Sequence, residues 1–93
     1  MSEPVGIRRK RLLHRSRYRG FRESDILFGR FVDLWLDRLD ERELDQFEAL
    51  IEEGDQDIYA WVQGTLPLPE RHDNEVFARF RAAKTDAAGR ADP

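Results

Sequence analysis

Between Arg19 and Asp25 the chain reads Arg-Gly-Phe-Arg-Glu-Ser-Asp, which sets Arg19, Arg22, Glu23 and Asp25 within seven residues around Gly20. A junction that only ended one helix and began the next would not need so much charge of both signs. The segment is therefore the candidate functional centre. Other chemistry has little support in the sequence. Acid/base catalysis needs a pocket that perturbs a pKa, and no carboxylate pair here has that setting. His14 and His72 are the only histidines and there is no cysteine. Thiolate metal sites are thereby excluded, two isolated imidazoles make a poor metal site, and no Ser/His/Asp or Cys/His set can be assembled. No phosphate-binding loop is visible. The chain is not expected to be an enzyme.

The totals bound what must position these residues. Ninety-three residues make one small domain near the lower limit for independent folding. Hydrophobic residues are 40% and charged residues 38%, so the core is thin and most side chains face water. No run approaches the ~20 apolar residues of a membrane span. The basic N-terminus is not followed by an apolar stretch of signal-peptide length, so no export signal is expected. Absence of cysteine fits a reducing compartment. The net charge of -3 hides a split: residues 1–22 carry eight Lys/Arg against Glu3, a surplus of seven positive charges, whereas residues 23–93 carry eight against eighteen Asp/Glu, a surplus of ten negative ones. Such asymmetry implies an acidic or polyanionic partner for the basic arm, or pairing of the arm with the acidic body.

Five helices are expected. Residues 1–6 contain Pro4 and Gly6 and little to bury, and should be disordered. A first helix spans Ile7 to Tyr18, with Gly20 at its C-terminal cap and Arg17 and Arg19 at the negative end of its dipole. A second begins between Phe21 and Ser24 and runs to about Leu39, because Leu27, Phe28, Phe31, Leu34, Trp35 and Leu39 recur at intervals of three and four. Gly29 inside that stripe predicts a close helix contact. Asp40 with Glu43 forms a capping box for the third helix, whose buried face is Leu44, Phe47, Leu50 and Ile51, and which Gly54 ends. Asp55 caps a fourth through about Gln63, stopped by Gly64, Pro67 and Pro69. Asp73 or Asn74 starts the fifth, with Val76, Phe77, Phe80 and Ala83 inward. No segment alternates with a period of two. The fold class is all-α: a compact five-helix bundle in one domain over residues 7–84, with a flexible C-terminal tail over 85–93.

Several features have more than one reading. The basic arm is a solvated terminus, a nucleic-acid-binding segment that neutralises phosphates, or an edge that docks on an acidic protein surface. Ten surplus negative charges on the body oppose the nucleic-acid reading, and Tyr18 and Phe21 are too few for a stacking platform. A capping glycine followed by an acidic first turn is ordinary helix punctuation, which on pattern alone accounts for Gly20, Glu23 and Asp25. Trp35 and Trp61 suit the core or its edge. Tyr59 and Trp61, two apart, cannot share a helix face, so one of them is a candidate for exposure.

The run from Arg8 to Phe31 resembles the signature of the small succinate dehydrogenase flavinylation factors, known in mitochondria as succinate dehydrogenase assembly factor 2. That family carries an Arg-Gly-x-x-Glu motif with an Asp two residues later and an Arg-Ser lead-in. Here Arg15 and Ser16 lead in, Arg19, Gly20 and Glu23 fill the motif, and Asp25 completes it. Leu50, Asp55, Asp57 and Trp61 are similar to the family's second block. Tyr18 stands where another Arg is common and Ser24 where Leu is common. The resemblance covers roughly Arg8 to Phe80. It implies an assembly chaperone that binds the flavoprotein subunit of succinate dehydrogenase, and often of fumarate reductase, and promotes covalent attachment of FAD to a histidine of that subunit. The chain would have no cofactor of its own and would be a monomer when free, in the cytoplasm of a bacterium or the mitochondrial matrix. By the resemblance Arg19 and Glu23 make charge-assisted contacts to the partner, Gly20 allows close backbone approach, Asp25 orients an arginine, Arg11, Arg15 and Arg17 extend the basic edge, and Trp61 belongs to the binding set. Mixed charge over residues 19–25 then serves directional recognition at a protein interface. The alternative is a small regulator that binds nucleic acid or a toxin-like partner through its arm, a label some relatives have carried.

Overall fold

The computed structural model describes residues 3–17, 19 and 22–90, with side chains through residue 83. Five α-helices follow one another: α1 (Val5–Arg15), α2 (Arg22–Trp35), α3 (Glu41–Ile51), α4 (Asp55–Gln63) and α5 (Glu75–Arg90). Short 3-10 turns at Leu36–Arg38 and Glu70–His72 complete the order, and no strand occurs among the described residues. The all-α, five-helix reading holds. The radius of gyration, 12.9 Å, is close to the ~12 Å of a compact domain of this length.

The core is built from the apolar faces that the spacing identified. Phe28 and Phe31 of α2, Phe47 of α3 and Phe80 of α5 are fully buried. Their ring centroids lie 4.7 Å (Phe28–Phe80), 5.0 Å (Phe31–Phe47) and 5.5 Å (Phe31–Phe80) apart. These tilted and edge-on geometries are the favoured ones for aromatic pairs. Leu12 is the one side chain of α1 buried in this core.

Local chemistry explains most boundaries. Asp40 and Glu43 form the expected capping box, each side chain accepting the other residue's backbone N–H. Asn74 Oδ1 accepts the Phe77 N–H at 2.9 Å, opening α5. Gly64 ends α4 in the left-handed region at φ 84°, a conformation that only glycine adopts without strain.

Other boundaries differ from expectation. Helix α1 stops at Arg15, where Ser16 caps it and the Ser16 hydroxyl donates to the Leu13 carbonyl at 2.8 Å. A serine side chain competing for a helix carbonyl favours termination, so the helix ends well before Gly20. Gly20, with Tyr18 and Phe21, lies outside the described residues. At the other end α1 begins at Val5 behind Pro4, and Glu3 is bonded to Arg11 at 2.8 Å. Helix α2 gives way to a 3-10 turn after Trp35, and Leu39 is extended with ψ 133°. The chain must leave the helix there for Asp40 to take its capping geometry. Gly54, not Asp55, is the N-cap of α4. The backbone of α5 continues helical to Arg90, which suits the high helix propensity of its alanines; residues 91–93 lie outside the described set. Finally, a Cβ added at Gly29 would meet nothing within 4 Å, so no close helix contact requires that glycine.

Candidate functional site

Arg19 reaches across the molecule to the corner between α3 and α4. Its Nε donates to Asp55 Oδ1 at 2.7 Å, and its Nη2 donates to the carbonyls of Ile51 at 2.9 Å and Glu53 at 3.1 Å. The guanidinium carbon lies 4.5 Å from the centre of the Phe28 ring. The last carbonyls of a helix have no intrahelical partner and form the negative end of its dipole. A planar, permanently charged fork can serve one of them at Ile51, the Glu53 carbonyl just past the helix end and a carboxylate together. The side chains of Arg19 and Asp55 are 9% and 11% exposed. Arg19 is therefore engaged inside the chain at every polar contact the structure gives its side chain.

Asp25 holds the same segment from the other side. Its Oδ1 accepts the backbone N–H of Arg19 at 2.6 Å. The contact ties the first turn of α2 to the main chain of Arg19. Ser24 is buried, and its hydroxyl has no hydrogen-bond partner among the described residues; the same holds for Asp55 Oδ2. Glu23 stands between Arg22 and Ser24 on the exposed side of α2, and it makes no ion pair among the described residues. The motif therefore divides. Asp25 holds the main chain at Arg19, the Arg19 side chain is bound to the α3–α4 corner, and Glu23 faces solvent.

The basic arm is largely neutralised by the acidic body. Arg8 pairs with Asp45 at 2.6 Å and with Glu48 at 2.9 Å. Arg11 pairs with Glu3 at 2.8 Å and Glu48 at 3.0 Å, and Arg15 with Glu52 at 2.8 Å. The hydrogen bond from Arg11, then that from Arg8, holds the Glu48 carboxyl below its usual range against the opposing effect of partial burial. Of the pairings the charge split allowed, the structure realises arm with body. Arg11 and Arg15 are committed to these pairs, while Arg17 is exposed. Arg9, which the sequence did not single out, closes the corner after α2 by donating to the carbonyls of Leu36 at 3.1 Å and Leu39 at 2.6 Å. No spacing rule predicts that contact, because its acceptors are backbone atoms about thirty residues away.

Trp61, expected among the partner-binding residues, lies in the core at 5% exposure, its ring 5.3 Å from that of His72. Its helix carries Ile58, Trp61 and Val62 on the buried side, leaving Tyr59 as the half-buried aromatic. His72 is itself buried, with Nε2 2.6 Å from Glu53 Oε2. Arg71 bonds the same oxygen at 2.8 Å. Hydrogen bonds from Arg71 and then His72 hold Glu53 below the usual carboxylate range. Glu53 thereby links the Glu70–His72 turn, bound to its side chain, with Arg19, bound to its carbonyl. Among the described residues no cluster of three or more His, Asp or Glu could hold a metal ion, and no helix is long and apolar enough to cross a membrane.

Comparison with known proteins relates this chain to a family. The family described as "Flavinator of succinate dehydrogenase" matches residues 10–84. The chain is similar to the mitochondrial succinate dehydrogenase assembly factor 2 of Scheffersomyces stipitis, 42% identical over 89 residues that cover 90% of this chain and 60% of that protein. The protein of the same name from Danio rerio is 43% identical over 77 residues, 81% of this chain and 49% of that protein. That from Lodderomyces elongisporus is 39% identical over 81 residues, 84% and 49%. The chain spans about half to three fifths of the length of these relatives.

Proposed function

The chain belongs to the family of flavinators of succinate dehydrogenase, and from that premise we propose that it is an assembly chaperone which binds the flavoprotein subunit of succinate dehydrogenase, or of the related fumarate reductase, and promotes covalent attachment of FAD to it. The flavin–histidine bond forms within the flavoprotein, and the FAD is that partner's cargo. This chain contributes binding and positioning, not a nucleophile.

One observation carries the reading. Arg19 is held at its main chain by Asp25 and at its side chain by Asp55 with short polar contacts, while Glu23 is exposed. A docking edge fixed before binding loses less conformational freedom on association, so more of the contact energy appears as affinity. Glu23 is then the direct polar anchor, Gly20 the point of close approach, Arg17 a peripheral cation, and Arg19 and Asp25 the positioning pair. Engagement of Arg8, Arg11 and Arg15 with acidic side chains weighs against the arm as a phosphate-binding surface.

The test is co-expression of the flavoprotein subunit of the same genome with wild-type chain, Glu23→Ala, or no factor, read by flavin fluorescence of the denatured subunit in a gel. Fluorescence should fall severalfold or more without the factor and nearly as far with Glu23→Ala. Equal fluorescence with and without the factor overturns the proposal.

A further inference from the structure

Next to Glu23 the outer side of α2 meets α4 in a shallow cleft. Glu23, Ile26, Leu27 and Arg30 line it from α2, and Tyr59 lines it from α4, enclosing about 160 Å³. The positions 23, 26, 27 and 30 follow helical spacing, so they form one row. Leu27 is buried and supplies the floor, whereas Ile26 remains 43% exposed. The core-facing side chains of α2 are Ser24, Leu27, Phe28, Phe31 and Val32, so the fold does not need an apolar residue at 26. Glu23 and Arg30 are both exposed, and neither is ion-paired among the described residues. An apolar centre with an acid toward one end of the row and a base toward the other is the composition of a protein-binding hot spot with a polar rim.

Arg19 links this cleft to the motif. Its guanidinium stacks on Phe28 of α2 and bonds Asp55, the first residue of α4. It therefore ties together the two helices that form the cleft walls.

Resting on the proposed function above, we infer that the cleft seats an apolar side chain of the flavoprotein subunit, carried on a segment with a basic residue placed to meet Glu23 and an acidic residue placed to meet Arg30. Opposite charges at the two ends of the row, neither ion-paired among the described residues, fix the direction in which such a segment lies, since reversing it would oppose like charges. Ile26 is then the apolar anchor of docking, and Arg19 acts on binding by setting the separation of the walls.

The experiment measures binding of the purified flavoprotein subunit to wild-type chain, Glu23→Ala, Ile26→Asp, Arg30→Glu and Ile7→Asp. Ile7 is an apolar side chain on α1, 57% exposed, and controls for added charge alone. Ile26→Asp and Arg30→Glu should each weaken binding at least tenfold with an unchanged circular dichroism spectrum, while Ile7→Asp binds as wild type. If Ile26→Asp binds as wild type and Glu23→Ala does not, the cleft inference fails and the assembly reading stands. If wild-type chain neither binds the subunit nor raises its flavin content, both fail. Equal weakening by Ile7→Asp overturns the cleft as a specific site. So does a dimer in sedimentation velocity that Ile26→Asp dissociates without changing subunit binding, because a second copy would then be the occupant.

Discussion

Arg19 and Asp55 form a nearly buried ion pair, with both Nε and Nη2 of the arginine 2.7 Å from Oδ1 of the aspartate. Thirty-six residues separate them in sequence. Around the pair, the Ile51 and Glu53 carbonyls accept from Nη2 and Phe28 stacks against the guanidinium face. A buried pair is weak evidence for net stability, because desolvation offsets the attraction. Removing one member is another matter, since the remaining charge is left without compensation.

Arg19→Ala should therefore destabilise the fold by about 3–5 kcal/mol. Asp55→Asn, which keeps the shape but removes the counter-charge, should also destabilise it, and the two effects should fall short of additivity in a double-mutant cycle read by urea denaturation. Fully additive losses would mean that the two side chains act independently. Arg19→Lys should recover only part of the Arg19→Ala loss, because an ammonium cannot match a planar fork shared among a carboxylate and two carbonyls. Any loss of flavin attachment by an Arg19 variant must be read beside its melting temperature, whereas the exposed Glu23 separates docking from folding.

Acid should loosen α1 and the Glu70–His72 turn. Glu48 and Glu53 both have folded-state pKa values below the ordinary 4.5. For a depressed carboxyl, the stabilisation is present in full above the unfolded value and is lost as pH falls through the folded one. Stability should thus hold from pH 7 to about 5 and decline below about 4.5, the ordinary value of these groups. Glu48→Gln should be less stable than wild type at pH 7, and the difference should shrink toward pH 3. Thermal melts of the two proteins across that range check the sign. A difference that grows on acidification would contradict it.

The helical stripe of α2, the capping box at Asp40, Gly64 and the inner face of α5 were legible because each rests on residues within one or two turns of each other. The site was only half legible. Arg19 was identifiable as a residue of the motif, but its acceptors are two backbone carbonyls and a side chain more than thirty residues away, and tertiary packing alone brings them there. Trp61 followed its pattern neighbours, since Ile58 and Val62 on the same side already pointed inward. Ile26 carried a usable signal, being an apolar side chain just off the stripe formed by Leu27, Phe28 and Phe31. Nothing in the spacing could reveal that Tyr59 would stand opposite it.

Gly29 offers the clearest separation of local propensity from packing. It sits inside α2, where glycine costs up to ~1 kcal/mol relative to alanine, because its backbone loses more freedom on folding. The close helix contact that would justify it is absent, since an added Cβ meets nothing within 4 Å. Gly29→Ala should therefore stabilise the protein by about 0.5–1 kcal/mol, raising the melting temperature by roughly 2–8 °C for a domain of this size. Gly29 is not among the residues lining the α2–α4 cleft, so the variant should bind the flavoprotein subunit as wild type does. A stabilised variant that no longer binds would show that the partner's backbone approaches α2 at Gly29, and would extend the docking surface along the helix beyond Ile26.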